Sequence, residues 1–235
     1  MINFAGCSST WITPGRVIAM FLLESFHKEY ETETTEVVVK DRKFQILLPG
    51  FLPRFIDTHD VFHEFPLWAK IWQASWVLAD YLAGMPVEAK KQFLELGAGV
   101  GLVSIVAASF GHRITMSEHN YDALQFARAN ALINECPRLP IVDLDWNRPQ
   151  SRGRFDYIVA SEVTYKKEDC QPLVKLLKAC LKPDGEVILA GEMRKSSMDF
   201  YKELENRFNI RVQKKILRSD NDEINIYLFR MTLKG

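Results

Sequence analysis

Three glycines, each separated by one residue, form the most informative segment of this chain. Residues 92–102 read QFLELGAGVGL, in which an apolar run precedes Gly97, Gly99 and Gly101, and an apolar segment, 102–110, follows. This order predicts a strand, a tight turn and a helix. Glycine is favoured where the backbone needs a positive φ or must approach a ligand closely, and the free N–H groups at a helix start favour a negative group. The segment therefore predicts a cradle for a cofactor.

A carboxylate ends the next predicted strand, RITMSE over residues 113–118. Glu118 lies 21 residues after Gly97. An acid at this place can accept hydrogen bonds from both hydroxyls of a bound ribose. The alternative is structural, because an acid in front of the helix predicted over 121–134 also interacts favourably with the helix dipole. The spacing favours ribose binding.

The glycine spacing separates two kinds of nucleotide cofactor. A dinucleotide fingerprint reads G-x-G-x-x-G, whereas here leucine stands at 102 and the third glycine at 101. With an acid at 95, the segment resembles motif I of the class I, seven-strand S-adenosylmethionine-dependent methyltransferases, acidic-x-G-x-G-x-G. That family usually has aspartate where this chain has Glu118. The motif I residues that the resemblance assigns to cofactor binding are Glu95, Gly97, Ala98, Gly99 and Gly101.

Two further segments resemble the protein-lysine branch of these enzymes, methyltransferase family 16. Trp72, followed by Gln-Ala-Ser and an apolar helix, is similar to a tryptophan that borders the cofactor in that branch. Asp145 and Trp146 belong to a Leu-Asp-Trp segment after a short third strand, and the resemblance places them at the adenine amine and against the base. Simple packing remains the alternative for both tryptophans, and Trp68 and Trp76 are assigned to the core.

The fourth predicted strand leads to the side from which a methyl acceptor would arrive. In the family this element ends Ala-x-Asp-x-x-Tyr, and here Ala160, Glu162 and Tyr165 stand at those positions. The resemblance implies that Ala160 contacts the cofactor and that Glu162 and Tyr165 are catalytic. Glutamate replaces the family aspartate, and catalytic geometry is sensitive to a shift of one methylene. The acceptor class therefore stays open at this point.

The remaining pattern predicts the elements that position these residues. The resemblance implies a Rossmann-like α/β fold, with a doubly wound, mostly parallel seven-stranded sheet whose last strand is antiparallel. A helix and a β-hairpin precede it, so that residues 1–67 pack on a methyltransferase domain, 68–235. Further helices are predicted over 13–30, 68–83, 168–181 and 196–208, and further strands over 37–39, 44–48, 139–147, 154–160, 186–191, 210–217 and 224–233.

Composition limits the partners and the compartment. The 235 residues, 47% of them hydrophobic, can form one sizeable core, and 30 basic residues balance 30 acidic ones. Such a chain has no general attraction to nucleic acid or to an anionic membrane. The cysteines at 7, 136, 170 and 180 form no C-x-x-C or zinc spacing, so we expect reduced thiols and a cytoplasmic monomer. His59 and His63 lack a recognisable third metal ligand, and no metal site is expected.

These observations predict an S-adenosylmethionine-dependent methyltransferase that acts on a protein lysine. A small-molecule methyltransferase, with the aromatic loop 49–67 as a lid, and a non-catalytic binding module remain as alternatives. A nucleic-acid methyltransferase is less favoured, because SEVTY (161–165) replaces the Asn/Asp-Pro-Pro-Tyr motif of amino-directed base methyltransferases.

Overall fold

The computed structural model describes residues 21–56, 65–148, 153–163, 167–194, 197–218 and 223–235. Within these ranges the helices are α1 (Leu23–Glu29), α2 (Gln73–Ala83), α3 (Leu102–Ser109), α4 (Tyr121–Ile133), α5 (Cys170–Cys180) and α6 (Met198–Glu205). The strands are β1 (Thr32–Val39), β2 (Arg42–Pro49), β3 (Gln92–Leu96), β4 (Arg113–Glu118), β5 (Ile141–Asp143), β6 (Phe155–Ser161), β7 (Leu181–Glu192), β8 (Phe208–Arg218) and β9 (Glu223–Leu233).

Seven strands form one sheet in the order β5-β4-β3-β6-β7-β9-β8. The five strands from β3 to β7 pair in parallel, whereas β9 is antiparallel to both β7 and β8. The predicted α/β class and the mostly parallel sheet are confirmed. Because β3, β4 and β6 are parallel neighbours, their carboxyl ends share one edge of the sheet, where ligands bind in folds of this type.

The two faces of the sheet have separate apolar cores. The central strands β3 and β6 carry nearly continuous apolar runs, as expected for strands that are covered on both faces. Phe93 faces the core beneath α2, α3 and α4, whereas Leu94 and Leu96 face the core beneath α5 and α6. This double cover holds the carboxyl ends of the central strands in place.

The β1–β2 hairpin is attached to the glycine turn through Asn130 of α4. The Asn130 amide accepts a hydrogen bond from Leu47 N at 2.7 Å and donates to Leu47 O at 3.1 Å and to Val100 O at 2.9 Å. The side chain is fully buried, so these bonds replace lost contacts with water. The hairpin therefore braces the turn, a role that its sequence does not indicate. Strand β1 also begins earlier than predicted, at Thr32, because Thr32 pairs with Pro49.

Several predicted boundaries shift in the structure. The helix predicted from Trp68 begins only at Gln73, because Leu67–Ala69 forms a short 3-10 turn and Trp72 is extended, with φ −88° and ψ 147°. Strand β7 begins at Leu181, ahead of the predicted start at residue 186, and a register shift in its pairing with β6 accommodates this. The predicted helix start at residue 13 and the helix cap at 196 lie outside the described residues. The division at residue 67 stays a prediction.

Candidate active site

The glycine turn connects β3 to α3 at the carboxyl edge of the sheet. Gly97, Gly99 and Gly101 have φ values of 62°, 55° and 91°, which non-glycine residues rarely adopt. Ala98 N donates to Ser117 O at 3.0 Å, and this bond ties the turn to β4. A cavity of about 180 Å³ lies beside the turn, and Gly97, Ala98 and Gly99 form part of its wall.

Residues of the cavity wall lie very close to the glycine turn. A Cβ atom at Gly97 would lie 3.1 Å from Val163 Cγ1 and 3.5 Å from Trp146 Cζ3, both residues of the cavity wall. At Gly99, a Cβ would lie 3.1 Å from Trp68 O. Side chains at these positions would press against the cavity wall, so the close approach of the turn to that wall requires glycine. The observed turn therefore fits the cradle that the sequence predicts.

Glu118 ends β4 beside this turn and lines the cavity. Its Oε2 accepts from Gly99 N at 2.9 Å, and its Oε1 accepts from His119 N at 2.7 Å and Asn120 N at 3.0 Å. The carboxylate thus stabilises both the turn and the start of α4. A carboxylate offers about four lone-pair directions, so these three bonds leave room for a ribose hydroxyl. Ribose binding by Glu118 stays a prediction.

Three tryptophans surround the cavity. Trp72 is oriented by a bond from its Nε1 to Leu67 O at 2.8 Å, and Trp146 by a bond from its Nε1 to Asp169 Oδ1 at 3.3 Å. Trp68 also lines the cavity, in addition to packing against Phe126, so its assignment to the core alone was incomplete. Trp76, in contrast, donates from Nε1 to Val38 O at the hairpin.

Four predicted cofactor residues are not among the residues that line the cavity. Glu95 is 1% exposed and accepts hydrogen bonds from the backbone N–H and the hydroxyl of Ser104, so it fixes the start of α3. Asp145 is turned toward its own loop, where Oδ1 accepts from Asn147 N at 2.8 Å. Gly101 contacts the Met116 side chain, and Ala160 is buried between neighbouring strands. These positions shape the site rather than line it.

Glu162 lies at the end of β6 in a partly closed polar environment. Its N–H donates to Ala190 O at 3.0 Å, its Oε1 accepts from Glu192 N at 2.8 Å, and its Oε2 lies 3.3 Å from Arg194 Nη1. Only 7% of its side chain is exposed, although it lines the cavity. Burial raises the pKa of the carboxyl, while the Glu192 N–H and Arg194 oppose that rise. Tyr165, the other predicted catalytic residue, lies outside the described residues.

Sequence reasoning missed several residues of this site. Ser161 lines the cavity, and its place at the carboxyl end of a central strand could have indicated it. Asp169, Lys70 and Arg194 follow no motif, and only their contacts reveal them. Among the described histidines, cysteines and acids, no group of three is arranged to hold a metal ion. His59 and His63 fall outside the described ranges.

The buried Glu95 predicts a measurable pH dependence of stability. Burial, opposed by the Ser104 hydrogen bonds, raises the pKa of this carboxyl from 4.5 to about 7. Between these values the folded chain holds a proton that the unfolded chain releases, so stability falls as the pH rises. From pH 4.5 to 8 we expect the unfolding free energy of wild type, measured relative to Glu95→Gln by urea titration, to fall by roughly 3 kcal/mol. A difference in unfolding free energy between wild type and Glu95→Gln that stays constant across this pH range would contradict the prediction. The control is Glu88→Gln, which replaces an exposed glutamate.

A side chain at position 101 is expected to lower the stability of the fold, separately from any effect on cofactor binding. A Cβ there would lie 2.7 Å from Met116 Cε in the core, and φ is 91°. We expect Gly101→Ala to lower the unfolding free energy by about 2–3 kcal/mol, from backbone strain and overpacking. Gly84→Ala is the matched control, since φ is −90° and the nearest atom would lie 3.5 Å away. Equal stability of the two variants in urea would refute the proposed contact.

The strand order accounts for this arrangement. The chain leaves β3 toward β4 on one side and returns to β6 on the other, and such a reversal creates the crevice in which doubly wound folds bind nucleotides. The glycine turn and Glu118 meet at that crevice. Together with a glycine spacing that differs from the dinucleotide fingerprint, the fold and site define a class I S-adenosylmethionine-dependent methyltransferase.

Comparison with known proteins gives the family. A family model described as lysine methyltransferase matches residues 66–208, and the chain belongs to that family. Protein N-lysine methyltransferase METTL21A of Mus musculus is 30% identical over 168 residues, which cover 68% of this chain and 75% of that protein. EEF1A lysine methyltransferase 3 of Mus musculus is 28% identical over 170 residues, covering 69% and 72%.

Solved structures share the fold. The SAM-dependent methyltransferase from Agrobacterium tumefaciens matches with a TM-score of 0.56 over 88% of this chain and 72% of its own, at 16% identity. The predicted methyltransferase class and its cofactor, S-adenosylmethionine, are thereby confirmed by family and fold together. Within the described ranges, every helix is too short or too polar to span a bilayer.

Proposed function

We propose that this enzyme transfers a methyl group from S-adenosylmethionine to the ε-amine of a lysine in a protein. The observation that carries the proposal is the carboxylate of Glu162, which lines the cofactor cavity while its side chain is only 7% exposed. A buried carboxylate attracts a cationic acceptor such as lysine. The names of the relatives, which are lysine methyltransferases, support the same acceptor.

The chemistry requires a neutral amine. S-adenosylmethionine supplies an electrophilic methyl group, so that an N–C bond forms as the C–S bond breaks and S-adenosylhomocysteine leaves. A lysine ammonium has a pKa near 10.4 and must first lose a proton to Glu162 or to water. Glu162 would orient the ammonium on arrival. Arg194, whose Nη1 lies 3.3 Å from Glu162 Oε2, adds a positive charge that disfavours the protonated amine.

The cavity wall supports alignment and the exclusion of water. Trp68, Trp72 and Trp146 present large apolar surfaces around the glycine turn. Because an in-line displacement depends on alignment, rigid aromatic walls favour it more than flexible side chains would. Two of the rings are fixed by hydrogen bonds from their Nε1 atoms. We also propose a cytoplasmic monomer that needs neither nucleic acid nor a membrane, consistent with 30 basic and 30 acidic residues.

The test is to identify the methylated amino acid. The purified protein is incubated with methyl-tritiated S-adenosylmethionine and a total protein extract, and in parallel with purified EEF1A, the protein named in one relative. We expect acid hydrolysis of the labelled protein to yield ε-N-methyllysine. Label confined to small molecules would favour the small-molecule alternative. Cofactor binding without any label would favour a non-catalytic module. The Glu118→Ala variant provides the background.

A further inference from the structure

The charges around the cofactor cavity are unevenly distributed. Three acids line it, Glu118, Glu162 and Asp169, and among the described wall residues Lys70 is the single cation. Each acid is already engaged: Glu118 by backbone N–H groups, Glu162 by Arg194 and Asp169 by Trp146. S-adenosylmethionine adds a sulfonium and an α-ammonium, both positive, and an α-carboxylate, which needs a positive partner.

Lys70 is available for that carboxylate. Its Nζ lies 4.8 Å from the centroid of the Trp72 ring, a cation–π contact that holds the ammonium at the cavity wall. Within the described part of the chain, no carboxylate forms an ion pair with Lys70. The contact with Trp72 orients the lysine and leaves its N–H donors free for a ligand.

The position of Lys70 matches the amino-acid end of the cofactor. Glu118 and Trp146 define the nucleoside end, next to the glycine turn. Around Trp72, the ring carries Lys70, Arg194 Cζ lies 6.0 Å from its centroid, and Arg194 contacts Glu162. With the nucleoside at Glu118 and the sulfonium methyl toward Glu162, the amino-acid half would lie beside Trp72, and Lys70 would hold its carboxylate.

We propose that Lys70 binds the α-carboxylate of S-adenosylmethionine and of the product S-adenosylhomocysteine. The proposal rests on the proposed function, because it assumes that the nucleoside lies at Glu118 and that the methyl faces Glu162. Helix α2 begins directly after Trp72, and its first N–H groups add positive potential at the same end. Lys70 thereby fixes the cofactor at the end opposite the ribose and sets the direction of the sulfonium methyl.

Two ligands that differ by one group test this. S-adenosylhomocysteine and its decarboxylated analogue are titrated calorimetrically into wild type, Lys70→Met and Lys70→Arg. We expect Lys70→Met to lower the affinity for S-adenosylhomocysteine about tenfold, the effect of losing one partly exposed hydrogen bond between charged groups. Its affinity for the decarboxylated analogue should stay within about twofold of wild type, and Lys70→Arg should retain most of the affinity for both.

Lys90→Met is the matched control. Lys90 is exposed and precedes β3 at the amino edge of the sheet, so this variant removes the same charge far from the cavity. If Lys70→Met lowered the affinity for both ligands equally, the proposal would be overturned, because Lys70 would then act through the shape of the cavity. An unchanged affinity for S-adenosylhomocysteine would also overturn it. Failure of wild type to bind either ligand would instead refute the proposed function, and the inference with it.

Discussion

Replacing Glu118 by alanine is expected to weaken the binding of S-adenosylmethionine and S-adenosylhomocysteine about 100-fold. The variant loses the acceptor for a ribose hydroxyl, and one hydrogen bond to a charged group contributes about 1.5–3 kcal/mol. It also leaves Gly99 N, now 2.9 Å from Glu118 Oε2, without its acceptor, so the glycine turn loses one hydrogen bond to β4 and keeps the bond from Ala98 N to Ser117 O. Loss of cofactor affinity is therefore expected to exceed that of any other single substitution in the cavity wall.

Calorimetric titration measures this effect directly. Micromolar affinity in wild type, corresponding to roughly −8 kcal/mol, should weaken to a Kd of roughly 100 μM in Glu118→Ala. Glu118→Gln, which keeps the side chain length and one carbonyl acceptor, should lie between the two. The control is Glu88→Ala, which removes an exposed glutamate at the amino edge of the sheet and should bind the cofactor as wild type does. Wild-type affinity in Glu118→Ala would show that the ribose does not lie against β4.

Replacing Glu162 by glutamine is expected to lower kcat about 100- to 1000-fold, the range for loss of a group that handles a proton and orients a substrate. Cofactor affinity should change by less than about threefold, since the amide keeps its shape and can still accept from Glu192 N. Initial rates with the acceptor found in the labelling experiment, together with calorimetry on S-adenosylhomocysteine, separate the two effects. Unchanged turnover and unchanged acceptor binding would exclude a catalytic role for Glu162.

Two variants distinguish charge from geometry at this position. Glu192→Gln removes a neighbouring carboxylate that also contacts Arg194 but is 37% exposed, and we expect a small effect on kcat. Glu162→Asp restores the residue found in the family, one methylene shorter. It keeps the charge but moves the carboxylate away from Glu192 N. We expect kcat to fall roughly tenfold, because a shift of about 1 Å slows a reaction that depends on alignment.

The strands and the glycine turn could be predicted because each depends on local information. Strand β4 was predicted with its observed bounds, Arg113–Glu118, because an apolar pattern and a polar end coincide there. The start of α2 was misplaced, because Trp68 and Trp72 continue the helical periodicity while the chain is still in a 3-10 turn and an extended step. Periodicity reports which residues are apolar, whereas the helix start depends on how the tryptophans contact the cavity.

The sequence by itself determined the fold class and the cofactor and predicted the segment that holds it, because the glycine spacing and the acid that ends β4 lie within 21 residues of each other. Only the tertiary structure decided which acids reach the cavity. Glu95 and Glu118 both belong to predicted strands, yet Glu95 turns into the protein toward Ser104 and Glu118 lines the cavity. Arg194 meets Glu162 because the pairing of β6 with β7 brings the ends of these two strands to one edge of the sheet.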